Sequence, residues 1–218
     1  MKIKGAIFDM DGTLLNSMDY WGSVGAEFLT RNGFDATTED NRRFLEQGLR
    51  EFYNYATSTL GLKKSYDEVH DEIYNMMREK YETVVLPKKG VIEMLNTLLA
   101  NGVKMCLATA TDKETVEIVL KKLDMEKYFS KIFTVKEVGV GKAQPKIYQV
   151  ALEYLGTPKD STYVFEDAYY AINTAHSNGF LVVGIYDKNV FVPKEEIKKL
   201  CDYYIDENDD YNIDFLLK

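Results

Sequence analysis

The chain has 218 residues, 45% of them hydrophobic and 28% charged, with a formal net charge of -8. That is enough chain for one large domain, or for one domain carrying a smaller insert, and the composition is that of an ordinary soluble protein. The negative balance argues against a nucleic-acid partner, which relies on clustered Lys and Arg to displace counterions, but leaves room for a small anion in a locally positive pocket.

The amino terminus, Met1-Lys2-Ile3-Lys4-Gly5, runs straight into a short apolar segment and lacks a signal-peptide layout. No apolar stretch is long enough for a bilayer, so the expected location is the cytoplasm, with no membrane partner. Cys106 lies in an apolar run and Cys201 stands far from it, so no disulfide is expected. Those cysteines with His70 and His176 are too few and too scattered for a zinc cluster.

Ile3 to Phe8 reads as a buried strand that ends in Asp9-Met10-Asp11-Gly12-Thr13. In extended chain, positions i and i+2 face the same side, so Asp9 and Asp11 are presented together at the strand's carboxyl end. Gly12 allows a sharp turn beside them. Residues 16–86 then break the pattern with successive helical periodicities: Trp21, Val24 and Phe28; Leu49, Phe52, Tyr53, Ala56 and Leu60; Val69, Ile73, Met76 and Met77. Thr37-x-x-Asp40 has the form of a helix start. We read this stretch as a helical bundle inserted after the first strand, its aromatic and methionine stripes forming the bundle core.

Pro87 and Gly90 mark the return to the main domain, residues 1–15 and 87–218. Further apolar runs at Val103–Ala108, Ile132–Val135, Tyr163–Phe165 and Leu181–Ile185 alternate with helical patterns such as Val116, Val119, Leu120 and Leu123, or Ile147, Val150, Ala151 and Tyr154. That alternation predicts an α/β fold, a Rossmann-like parallel sheet with helices on both faces. The strand ends carry the chemistry. Thr109-Ala110-Thr111 offers hydroxyls and backbone amides that can donate to phosphate oxygens, or that simply cap the helix starting near Asp112. Lys142, after Gly139-Val140-Gly141, offers an ammonium to an anion or to solvent. Glu166-Asp167 adds two acids; if their strand neighbours the first, four carboxyl groups converge with no basic residue in either motif, which calls for a metal with hard oxygen ligands, magnesium.

Other motifs fail. Lys136 and Ala143 break a Walker loop around Lys142, and Gln144 breaks a dinucleotide fingerprint. Asp206-x-Asn208-x-Asp210 opens like a calcium loop, but Tyr211 and Leu217 replace its glycine and glutamate, so a solvated acidic tail is expected. Arg50 and Glu51 could face a substrate or be plain solvated helix, and Lys88 and Lys89 are equally ambiguous.

Taken in order, Asp9-x-Asp11-Gly12-Thr13, Thr109, Lys142 and Glu166-Asp167 resemble the four motifs of the haloacid dehalogenase superfamily, and the helical insert resembles that of its beta-phosphoglucomutase-like branch. The resemblance implies a magnesium-dependent phosphatase for a small phosphomonoester. Asp9 would attack phosphorus and form an aspartyl-phosphate, and Asp11 would protonate the leaving oxygen and later activate water. Thr109, Ala110 and Lys142 would bind the phosphoryl group. Asp9, the backbone carbonyl of Asp11, and Asp167 would hold magnesium, with Glu166 ligating directly or through water, and Arg50 is the candidate substrate contact on the cap. A sugar-phosphate mutase and a non-catalytic phosphate-binding protein are the alternatives. Three departures from the pattern stand out: the Lys142–Lys146 segment lacks the usual first proline and later aspartate, Ala168 and Ala171 replace a hydroxyl residue and a glycine, and Trp21 replaces the mutases' cap histidine.

Overall fold

Gly5–Phe8 forms strand β1, and all four residues are buried, as befits a strand covered on both faces. The structure is a computed structural model that describes residues 2–209 and 211–218, with the side chain of Glu46 excepted. Two compact units are present, one comprising residues up to Asn16 together with Leu86–Lys218, the other Ser17–Val85.

The second unit contains α1 (Met18–Arg31), α2 (Thr38–Ser58) and α3 (Tyr66–Thr83). Its core is built from Val24, Phe28, Phe52, Ala56, Val69, Ile73, Met76 and Met77, all buried. At the start of α2, the Asp40 carboxylate accepts the Thr37 amide and hydroxyl, each at 2.7 Å. The close approach of α1 and α2 requires a glycine, because a Cβ on Gly25 would lie 2.9 Å from that of Phe44.

In the first unit the chain continues through α4 (Val91–Ala100), β2 (Lys104–Thr109), α5 (Lys113–Lys122), β3 (Ile132–Thr134), α6 (Val135–Val138), α7 (Lys146–Leu155), β4 (Thr162–Glu166), α8 (Tyr169–Ser177), β5 (Leu181–Ile185), α9 (Lys194–Lys198) and β6 (Tyr203–Ile205). The strands form a parallel sheet in the order β3-β2-β1-β4-β5-β6, an α/β, Rossmann-like arrangement. The order reverses between β1 and β4, and open parallel sheets bind ligands outside the carboxyl ends of their strands at such a point. No helix among the described residues is long and apolar enough to cross a membrane.

Several expectations need correction. Val135 opens α6 rather than ending β3, because Thr134 caps the helix, its hydroxyl accepting the Glu137 amide at 3.1 Å. The buried face of α7 is Ile147, Tyr148, Ala151 and Leu155, while Tyr154 is 46% exposed, so the apolar stripe lies rotated from the one that sequence periodicity suggested. The acidic stretch is solvated at residues 207–209, but the segment around it is not a tail: β6 pairs with β5, Tyr211, Ile213 and Leu216 are buried, and the Ile3 amide donates to the Leu216 carbonyl at 2.9 Å. Of the calcium-like pattern, Asp206 pairs with Lys194 at 2.8 Å, and Asp210 lies outside the described residues.

Candidate active site

The site begins where β1 ends. The Asp9 amide donates to the Phe165 carbonyl at 2.9 Å, and the Phe8 and Phe165 rings stack at 4.4 Å, which sets Asp9 level with the end of β4. The chain then doubles back: the Met10 carbonyl accepts from Leu14 and Leu15 at 2.9 and 3.0 Å, and Gly12 takes φ +79, a value that favours glycine. Asp9 and Thr13 are buried by this turn, and Asp11 is half-buried.

Carboxylate oxygens of Asp9, Glu166 and Asp167 lie within 4.8 Å of one another, all three residues buried, close enough to hold a metal ion together. Lys142 stands between two of them. Its ammonium donates to Asp9 Oδ1 and, at 2.9 Å, to Glu166 Oε2. The Thr13 hydroxyl donates to Asp167 Oδ1 at 2.7 Å, and the Tyr148 hydroxyl reaches Glu166 Oε2 at 3.4 Å. The Ala168 amide donates to Glu166 Oε1 at 3.4 Å, so a backbone group supports the acid.

The electrostatics follow from crowding. Burial and then the Glu166 charge push the Asp9 carboxyl well above its ordinary 3.8, with Lys142 opposing. Burial and Glu166 likewise push Asp167 up to about 8. Burial would lower the Lys142 ammonium, but the charges of Asp9 and Glu166 outweigh it and raise it well above 10.5. A cation placed among these acids favours their ionised forms.

The other residues singled out in the sequence fall into place unevenly. Thr109 is buried at the end of β2, where its hydroxyl accepts the Thr111 amide at 3.1 Å, and Ala110 beside it is exposed. Thr111 does not cap the next helix: Asp112 does, accepting the Thr115 amide at 3.0 Å, while the Thr111 hydroxyl donates to Asp11 Oδ2 at 2.6 Å. Arg50 belongs to the helical unit, where it is exposed and stacks 3.5 Å over the Tyr66 ring. Sequence reasoning missed Tyr148, which reads as one more aromatic on an apolar helix face, and it left Lys88 ambiguous without finding Asp187, whose ion pair with it at 2.8 Å joins positions that no motif links. It also missed Tyr211, whose hydroxyl donates to the Thr13 carbonyl at 2.5 Å.

A parallel α/β sheet that collects three buried acids and a lysine at its switch point defines a class of enzyme whose chemistry is done on strand ends. Within that class, the model of the haloacid dehalogenase-like hydrolase family matches residues 6–185, and the chain belongs to this family. The chain is 27% identical over 177 residues to the phosphorylated carbohydrates phosphatase of Thermotoga maritima, a match covering 81% of this chain and 82% of that one. It is also 27% identical over 191 residues to pyrophosphatase PpaX of Bacillus mycoides, covering 85% of this chain and 84% of the relative. Among solved structures, a family IA, variant 3 hydrolase from Entamoeba histolytica shares the fold with a TM-score of 0.82 at 22% identity, over 99% of this chain and 98% of that one.

Proposed function

We propose that this chain is a cytoplasmic, magnesium-dependent phosphatase that hydrolyses a small phosphomonoester through an aspartyl-phosphate formed on Asp9. The observation that carries the reading is a charge imbalance at the switch point. Asp9, Glu166 and Asp167 contribute three negative charges when ionised and Lys142 one positive, so three minus one leaves two uncompensated in a buried site. A divalent cation answers that deficit, and an all-oxygen donor set suits magnesium rather than a softer metal. Asp9, Glu166, Asp167 and the backbone carbonyl of Asp11 would hold it. When bound, magnesium would supply neutralising charge for the phosphoryl oxygens.

The remaining work falls to the chain's own groups. An ionised Asp9 needs no base to attack phosphorus, and the new bond forms as the ester oxygen departs. Asp11 gives that oxygen its proton and then takes one from the water that cleaves the aspartyl-phosphate, releasing orthophosphate. Its orientation is supported by the 2.6 Å hydrogen bond from Thr111. Thr109, Ala110 and Lys142 bind the phosphoryl oxygens during transfer. Substrate selection is assigned in the same proposal to the helical unit, with Arg50 as its candidate contact. The relatives named as phosphatases of phosphorylated carbohydrates and of pyrophosphate support a small phosphorylated substrate.

Hydrolysis is favoured over phosphoryl return to a second sugar hydroxyl by Trp21. Its indole N–H donates to the Tyr81 hydroxyl at 2.9 Å, and an indole, being a donor only, cannot relay a proton as a histidine would. The test is a screen of phosphorylated metabolites, hexose 1-phosphates and pyrophosphate included, for orthophosphate release with and without magnesium. Release that needs magnesium and disappears in Asp9→Asn is expected. Isomerised sugar phosphate with conserved organic phosphate would show a mutase instead, and full activity in Asp9→Asn would remove Asp9 from the reaction.

A further inference from the structure

Lys88 follows the second crossing between the two units by only a few residues, yet its amide and its ammonium both reach the turn that carries the acids. Its backbone amide donates to the Leu14 carbonyl at 2.9 Å. Its ammonium donates to the Gly12 carbonyl, to the Tyr186 carbonyl at 2.9 Å, and to Asp187 Oδ2 at 2.8 Å. An ammonium has three hydrogens, so three acceptors use all of them, and none remains for a substrate anion. The pair is mostly covered, with side-chain exposures of 17% for Lys88 and 6% for Asp187. Asp187 is itself held, Oδ1 accepting the Asn189 amide at 2.8 Å and its side-chain nitrogen at 3.0 Å.

The consequence concerns the Gly12 peptide. This peptide separates Asp11 from Thr13; its amide side is held by the Gly12 N–H donating to the Leu15 carbonyl at 3.1 Å, and its carbonyl side by Lys88, at a glycine whose φ of +79 leaves it conformationally free. On the far side, the Thr13 hydroxyl holds Asp167 at 2.7 Å, and the Tyr211 hydroxyl holds the Thr13 carbonyl at 2.5 Å. Rotating the Gly12 carbonyl away from Lys88 would swing Thr13 off Asp167 on one side and re-aim Asp11 on the other. We propose that Lys88, tethered by Asp187, is a positioning residue that locks the Gly12 peptide and thereby keeps Asp11 and Thr13 in register with Asp9. The kinetic part of this proposal rests on the phosphatase reading; the structural part rests on geometry alone.

Two variants test it. The double variant Lys88→Met with Asp187→Asn removes both charges, so no buried ion is left unpaired. Lys88→Arg keeps the ion pair, but a planar fork cannot present one point donor to two carbonyls and a carboxylate together. Both are expected to keep the wild-type circular dichroism spectrum. Amide exchange in a peptide spanning residues 10–15, measured without metal, is expected to speed up about tenfold, because the bonds from Leu14 and Leu15 to Met10 open more often. With p-nitrophenyl phosphate, kcat is expected to fall about 10- to 100-fold, with KM changed less than about threefold, the pattern of a displaced catalytic group. Wild-type kcat and exchange in either variant would overturn the proposal, as would a raised KM at unchanged kcat, which would make Lys88 a substrate contact. If the wild-type protein hydrolyses nothing, the phosphatase reading falls, while exchange at residues 10–15 still decides the role of Lys88.

Discussion

The two units handle charge in opposite ways. Among the described residues, the sheet unit buries Asp9, Lys142, Glu166, Asp167 and Asp187, whereas the helical unit buries Asp40 as its one charged side chain and leaves pairs such as Arg42–Glu39 and Arg31–Glu27 in solvent. Burying like charges together is unfavourable unless a counter-charge relieves them, so the sheet unit gives up stability at its strand ends in return for chemistry. The helical unit makes no such sacrifice, and its cohesion comes from aromatic and aliphatic packing, with Phe52 in edge contact with Phe44 at 5.4 Å and Phe28 at 6.0 Å. Activity and stability should therefore respond to mutation separately in the two regions.

The largest separation is expected at Asp9. Asp9→Asn should lower phosphate release about 10⁴-fold or more, while thermal denaturation in metal-free buffer shows a melting temperature equal to or above wild type, because one of three crowded acids has been neutralised. A steep loss of stability would break the comparison. Lys142→Met comes next, costing about 10²- to 10³-fold in kcat and about 3–5 kcal/mol of stability in chelator, since it leaves buried carboxylates without their ammonium. Added magnesium should restore part of that stability, and identical melting curves with chelator and with magnesium would argue against a metal site. In the helical unit, Phe52→Ala should cost about 3–5 kcal/mol by denaturant titration through the cavity it opens. A loss of turnover in that variant at intact stability would contradict the division.

Smaller effects sharpen the same contrast. Asp40→Asn should cost about 1 kcal/mol at neutral pH by removing a charged acceptor from the start of α2. Burial raises the Asp40 carboxyl, but the hydrogen bonds from Thr37 outweigh it and hold the group below 3.8. A folded value below the unfolded one means the contribution is present above 3.8 and fades as pH falls through the folded value, so wild type and variant should converge in strong acid. Arg50→Ala, which removes an exposed cation stacked on Tyr66, should cost less than about 1 kcal/mol of stability and register chiefly as a raised KM.

Much of this was readable in order along the chain. The apolar runs announce buried strands, and polar, glycine-containing turns announce their carboxyl ends, because a strand covered on both faces keeps its polar side chains to its ends, as Thr162 and Glu166 bound β4. The helical stripes of Val69, Ile73, Met76 and Met77 were equally plain and are buried on α3. Weak local signals failed. Strand β6 has only three residues, and Val135 was claimed by a cap on Thr134 that outweighed its β-branched preference.

What the sequence by itself determined was the kind of fold and the chemical identity of the groups at its strand ends, because backbone periodicity and side-chain type are local properties. Which of those groups meet was decided only by the tertiary structure. Lys142 between Asp9 and Glu166, Thr111 on Asp11, Tyr211 on Thr13, and Lys88 spanning Gly12 and Asp187 are contacts between distant parts of the chain. No periodicity encodes them. They exist because the reversal of strand order at β1 and β4 brings separate loops to one place, where burial makes each polar group find a partner.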